Sequence, residues 1–381
     1  MSISVVDLTS QLVKTHPVFR RPTVDDALDT VARQLRKLGF DCDLRPYDGT
    51  CQITATHAFG QAGPHVVLHG HIDIEDVADE GGWSMPGLWR SGEVRSGRVY
   101  GAGSSDMLGG IATLIATVRE LIGQDRLSGR ITVQVVVGRH LGGAGTLALF
   151  EQSGLPGVDL AILGEPTDRH VCTAAYGFRR YRLQSRGVPG PMAFAGDGDN
   201  AATHAAIALL ALDTANDRLQ QLYPTRQRIR YVLPGVIRGG DDAGTSAGRA
   251  LVEFAMALPP LLPEDTALGV IDDSLQRSFD TAGIPLPGYE QDGIPVAPTS
   301  LGHSGFADLI REVNPALGWC QYPCSSDARV FQDLGIPMVL YGPGNVARSK
   351  RPDEYVEAAE LQESVRTLGT ALIRWLSRGG A

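Results

Sequence analysis

Four short segments of the 381-residue chain bring together side chains able to bind an ion or move a proton. In "LHGHIDI", His71 and Asp73 are two apart, so an extended backbone turns both to the same side. A metal-binding imidazole usually needs a carboxylate to hold its second nitrogen. In "VYGAGSSDMLGG", glycines on either side of Asp106 let the backbone approach an ion or ligand; Asp106 also suits the cap of the helix that follows. In "LGEPTD", Glu165 stands after an apolar run, as a site carboxylate or a surface loop group. In "VVVGRHLGGAGT", Arg139 and His140 lie between an apolar run and a glycine turn. Of these last two, only the imidazole can accept a proton near neutral pH.

These segments need a frame. "HVVLHGHIDI", "ITVQVVVG" and "VDLAILGEP" read as buried strands, and "GGIATLIATVRELI" and "GTLALFEQSG" as helices between them. The alternation predicts an α/β domain with a mainly parallel sheet. Ligands bind beyond the carboxyl ends of such strands, where every polar cluster named above falls. Upstream, residues 6–40 read as two helices, the second with Ala27, Val31, Leu35 and Leu38 on one face. Near residue 178 the texture changes to strand, helix, strands, helix, which predicts an inserted α+β domain of roughly 110 residues. The expected division is 1–177 and 289–381 for the catalytic domain and 178–288 for the insertion. A strand at "IPMVLYGPG" and a helix near Ala358–Leu376 close the chain.

Composition narrows the function. A net charge of −9 argues against nucleic acid or an anionic membrane surface as partner. No apolar run reaches about 18 residues, and the N-terminal segment lacks the pattern of a secretory leader. The five cysteines are odd in number and scattered, which predicts free thiols in a reducing cytoplasm. Only three lysines occur, at 14, 37 and 350, against 34 basic residues in all. A lysine at a special position is therefore unlike chance drift in this composition.

In order and spacing, "GHIDIEDV", "YGAGSSDMLGG", "GGAGT", "LGEPTD", "GDN", "SSDAR", "GPG" and "RPDEYVE" closely resemble the M20 family of metallopeptidases and amidohydrolases over nearly the whole chain. That family includes acetylornithine deacetylase, succinyl-diaminopimelate desuccinylase, aminoacylase and carboxypeptidase G. The resemblance implies an inserted lid and dimerisation domain, hence a homodimer, and a small-molecule substrate. It also implies two zinc ions bridged by Asp106, the first held in addition by His71 and Glu165. The second zinc takes one residue of a Glu-Glu pair and a C-terminal histidine, and the other glutamate activates water.

Here the pattern departs. The two glutamates fall on Arg139 and His140, and the C-terminal histidine on Lys350. A lid histidine falls on Pro191, and an arginine for the substrate carboxylate falls near Met256 or Ala257. Arg329 of "SSDAR" remains as a candidate carboxylate clamp, with Asn200 and Gly344 as further expected substrate contacts. Arg139 cannot serve as a base. Asp73, Asp106 and Glu165 set against Arg139 and Lys350 leave one net negative charge, as two zinc ions would against five carboxylates. This balance points to a metal-free site in which fixed cations replace metal charge; one zinc on His71, Asp106 and Glu165 is the other reading. The expected function is an M20-like enzyme of altered chemistry on a small amino-acid- or peptide-like intermediate, by acyl or amide rearrangement, condensation or cyclisation. Lys350, His140, Arg139 and Asp73 are the expected catalytic groups. The alternatives are a one-zinc deacylase of N-acyl amino acids and a non-catalytic binding protein.

Overall fold

The computed structural model describes residues 3–60, 62–139, 141–196, 200–225, 229–300 and 304–377. The chain divides into two compact units: Met1–Ala174 with Ser300–Tyr322 and Ser326–Ala381, and Ala175–Thr299 with Pro323–Ser325.

The first unit is built on one mixed sheet. Its middle runs Arg130–Val136, His65–His71, Leu160–Leu163, Met338–Leu340, each parallel to the next. These strands are buried on both faces, so they read as unbroken apolar runs rather than alternating ones. The register pairs His71 with Val136 and His69 with Leu163. The loops that leave these strands therefore open at one edge, and they carry Asp73, Arg139 and Glu165. The flanks are antiparallel: Asp41–Tyr47 and Thr50–Ala58 on one side, His170–Ala175 on the other, where Gly318–Tyr322 also pairs.

Helix Gly109–Leu121 is mostly apolar and buried at every position but Arg119 and Glu120 near its end, as a helix inside a large core should be. Helix Thr23–Lys37 buries Val24, Ala27, Leu28, Thr30, Val31, Ala32 and Leu35 and exposes its acidic and basic residues. Asp25 and Asp26 in its first turn and Arg36 and Lys37 in its last complement the helix dipole. A small antiparallel sheet joins Tyr355–Glu357 to Arg98–Tyr100 and Val94–Arg95. It ties the segment before residue 355 to the turn before Asp106, with Gly101 N–H donating to Glu354 O at 2.9 Å.

In the second unit the order is Val232–Gly239, Arg249–Leu258, Gly177–Arg186, Tyr289–Val296, all antiparallel. Burial alternates along Gly177–Arg186 and Arg249–Leu258. Helices Ala201–Leu222 and Glu264–Ala282 pack with these strands through Leu183, Leu212, Phe254 and Phe279. Tyr289–Val296 pairs with Tyr181 and its neighbours, and this unit runs on to Thr299.

The cysteine reading is corrected. Cys172 and Cys320 form a disulfide across 148 residues of sequence, their Cα atoms 4.7 Å apart, because Gly318–Tyr322 adds to the sheet beside His170–Ala175. Cys42 and Cys51 are free thiols. Among the described residues no helix is long and apolar enough to cross a membrane.

Candidate functional site

His71 ends its strand, Glu165 follows Leu160–Leu163, and Asp106 sits in the irregular turn Ser104–Leu108 ahead of helix Gly109–Leu121. One donor atom from each of the three lies within 4.8 Å of the other two, and all three side chains are buried. His71 Nδ1 lies 3.1 Å from the main-chain oxygen of Asp73, which assigns its N–H to that side. Nε2 then carries its lone pair toward the cluster, 3.5 Å from Asp106 Oδ1. That oxygen is buried and has no hydrogen-bond donor among the described residues. Glu165 is held at both oxygens, by Ser326 Oγ at 2.9 Å and Tyr322 OH at 3.2 Å.

Arg139 closes the other side of Asp106. Its Nη2 donates to Asp106 Oδ2 at 2.6 Å, and Ser349 Oγ donates to the same oxygen at 3.0 Å. Nη1 reaches the main-chain oxygen of Asp106 at 3.4 Å, and the Arg139 N–H donates to Asp73 Oδ2 at 3.2 Å. The Asp73 carboxylate thus engages Arg139, while its carbonyl engages His71. The glycine turn fixes where Arg139 emerges: Gly143 has φ +83°, and a side chain on Gly145 would strike Val137 O.

Burial and charge act against each other here. Burial alone would raise the Asp106 pKa, but Arg139 and His71 hold it far below the usual carboxylate range. Burial and Arg139 oppose a charge on His71, yet Asp106 and Glu165 outweigh them and raise its pKa. Burial pushes Glu165 up. Only the His71 shift reports its acidic neighbours; the Asp106 shift reports the cations beside it, and the Glu165 shift reports burial first.

Lys350 does not join this cluster. Its Nζ pairs with Glu75 at 2.6 Å, and its side chain is half exposed. Asp106 Oδ2 is already taken by Arg139 and Ser349. The charge balance changes accordingly: among the described residues Asp73, Asp106 and Glu165 face one fixed cation, Arg139, which with His71 neutral leaves two negative charges, a number one divalent cation offsets. Arg329 pairs with Asp333 one helical turn away, at 2.9 Å from Nε. Asn200 caps helix Ala201–Leu222 and binds the N–H groups of Ala202 and Ala247. Gly344 has φ +86°, donates its N–H to Glu360, and lies where a side chain would strike Ser105 Oγ. Pro191 bridges to Thr245, and Met256 is buried in its strand. His140 lies outside the described residues.

Four contributors carry no role in the sequence reading: Ser349, Tyr322, and, inside the quoted motifs "SSDAR" and "RPDEYVE", Ser326 and Glu354. The Glu354 carboxylate is buried and accepts N–H groups from Ser105 at 3.0 Å, Asp106 at 3.3 Å and Lys350 at 3.3 Å. Burial and the nearby Asp106 push its pKa up to about 7. A cleft of about 330 Å³ opens over Asp106 and Arg139, lined also by Ile74, Trp83, Ser349 and Glu354.

The family model described as Peptidase family M20/M25/M40 matches residues 67–374. The chain belongs to this family. Among its relatives, the M20 chain is 26% identical to a succinyl-diaminopimelate desuccinylase of Rhodospirillum centenum, over 93% of this chain and 94% of that one. It is 26% identical to an acetylornithine deacetylase of Proteus mirabilis, over 96% and 95%. Human carnosine dipeptidase 1 shares the fold, with a TM-score of 0.76 at 16% identity over 98% and 97% of the two chains.

The two zinc ions implied by the M20 resemblance meet two different environments. His71, Asp106 and Glu165 offer one nitrogen and two carboxylates, zinc's own donor types, around an orphaned Oδ1; they fit one ion. On the other side of Asp106 a guanidinium occupies the oxygen a second ion would share, and Arg139 cannot ligate metal. Among the described residues, nothing there fits a second ion.

Proposed function

We propose that this M20 chain is an enzyme of acyl or amide chemistry on a small amino-acid-like substrate, working with one divalent cation and one fixed guanidinium. The carrying observation is the buried Arg139–Asp106 pair at 2.6 Å beside three intact donors. A zinc ion held by His71, Asp106 and Glu165 would supply Lewis-acid polarisation of a carbonyl.

The protein's own groups account for the rest. A guanidinium carries five N–H donors, and two of those of Arg139 serve Asp106. The others suit a developing oxyanion. Asp73 holds the Arg139 backbone and, through its carbonyl, the His71 ring. Position 139 offers no base to deprotonate water. A neutral amine attacks without prior deprotonation and loses its proton afterwards. An acyl transfer fits such a site: the amide C–N bond breaks, a new C–N bond forms to the incoming amine, and that amine's proton passes to the leaving one. In the second unit, edge strand Val232–Gly239 exposes Leu233 and Ile237, which supports pairing of two copies.

The retained trio of donors favours a second reading, hydrolysis of an N-acyl amino acid with the same single ion. Incubation with N-acetyl and N-succinyl amino acids, with and without an added amino acid, separates the two by mass spectrometry. A new amide supports transfer. Free acid alone supports hydrolysis. No turnover of any substrate, with or without zinc, overturns both.

A further inference from the structure

The charged groups on the cleft wall can be accounted for one at a time. Lys350 is paired with Glu75, and Arg139 with Asp106. Asp76 is engaged by Arg21 and lies 3.6 Å from His16. Asp79 accepts the N–H of Gly82 at 3.1 Å, and Glu354 accepts three N–H groups. Arg351 alone among them has no hydrogen bond or ion pair among the described residues, although it lines the cleft. It stands next to Lys350, whose charge Glu75 already meets. The acids Glu75, Asp76 and Asp79 line the same cleft as Lys350 and Arg351.

An unpaired guanidinium on the wall of a ligand-sized cleft suits a carboxylate, because its planar donor fork matches the two oxygens. The volume of about 330 Å³ is at the small end for ligand pockets and excludes long peptides. Ile74, Val77, Ala102 and Trp83 give the cleft an apolar side. We propose that Arg351 anchors the free carboxylate of a small N-acyl amino acid whose acyl group lies toward Asp106 and Arg139 and whose side chain meets Trp83. The assignment rests on the cleft being the active site proposed above. Arg351 is exposed and makes no hydrogen bond or ion pair among the described residues, so its replacement should leave the fold intact.

The test is isothermal titration of the zinc-loaded protein with N-acetyl-L-leucine and, separately, its neutral carboxamide. Wild type is expected to bind the acid about tenfold tighter than the amide, the scale of one charge-assisted pair at an exposed rim. Arg351→Gln should abolish that preference and leave amide affinity unchanged. Lys350→Ala should reduce it far less. Equal affinities in wild type, an unaltered preference in Arg351→Gln, or no binding of either probe overturns the anchor. A charge preference that depends on Arg351 in a protein that turns over nothing sinks the proposed chemistry and leaves the anchor standing. Turnover without any charge preference does the reverse.

Discussion

Replacing Arg139 with methionine in chelator-treated protein removes the guanidinium from a carboxylate whose side chain is 0% exposed. Arg139 itself is 16% exposed, so solvent screens the pair little. Asp106 would keep only the Ser349 hydroxyl at Oδ2, with Oδ1 already lacking a donor. Stranding one charge of a buried pair costs about 3–5 kcal/mol. At about 1–3 kcal/mol per molar urea, the unfolding midpoint should fall by roughly 1 M or more. All four tryptophans, 83, 89, 319 and 375, lie in the first unit, so their fluorescence reports its transition alone. The sign with pH follows from the depressed Asp106 pKa. Such a group stabilises above its unfolded pKa of about 3.9, and the gain is lost as pH falls below that. In Arg139→Met, burial instead raises the Asp106 pKa, so acid relieves the stranded charge. The gap between wild type and variant should therefore narrow from pH 7 to pH 4. Adding Asp106→Asn should recover most of the loss at pH 7. A loss under about 0.5 kcal/mol at pH 7, a gap unchanged at pH 4, or no recovery in the double variant would refute a buried structural ion pair.

Glu354 has the opposite sign: its pKa is raised to about 7, so its favourable contribution is complete below the unfolded value and lost as pH rises through 7. Glu354→Gln should gain on wild type by up to about 3 kcal/mol between pH 4 and pH 8.5 in the same urea assay; a constant difference contradicts this. Peptide mass mapping with iodoacetamide in denaturant should leave Cys172 and Cys320 unlabelled until reductant is added. Cys320→Ser should lower stability by several kcal/mol, because the bridge closes 148 residues of chain.

Much of the frame is legible from local pattern. Unbroken apolar runs between helices predict the parallel strands, and the parallel register is what carries residues 71, 139 and 165 to one edge. The antiparallel flank Asp41–Ala58 and the strand Gly318–Tyr322 were not foreseen. The first does alternate polar and apolar residues, in "DCDLRP" and "TCQITAT", so period 2 marks it; the second, "GWCQY", is five residues long and does not alternate. Missing Gly318–Tyr322 hid both Tyr322 at Glu165 and the disulfide partner of Cys172. Arg329 is the reverse case: Asp333 four residues on is a local partner that the spacing alone offers. Lys350 drew notice through the rarity of lysine, but its partner Glu75 is 275 residues away in sequence, and only tertiary structure brings them together. Glu354 lies inside the motif "RPDEYVE", but nothing local marks it as a group titrating near 7, since its raised pKa arises from burial and from Asp106.

The central claim is that a guanidinium stands where the second ion of the resembled site would stand. Anomalous diffraction at the zinc edge, on crystals grown with excess zinc, tests it most directly. One peak should appear among His71, Asp106 and Glu165, with Arg139 still on Asp106 Oδ2. Two peaks about 3.5–4 Å apart, as in two-metal sites, with Arg139 displaced from Asp106, would contradict it.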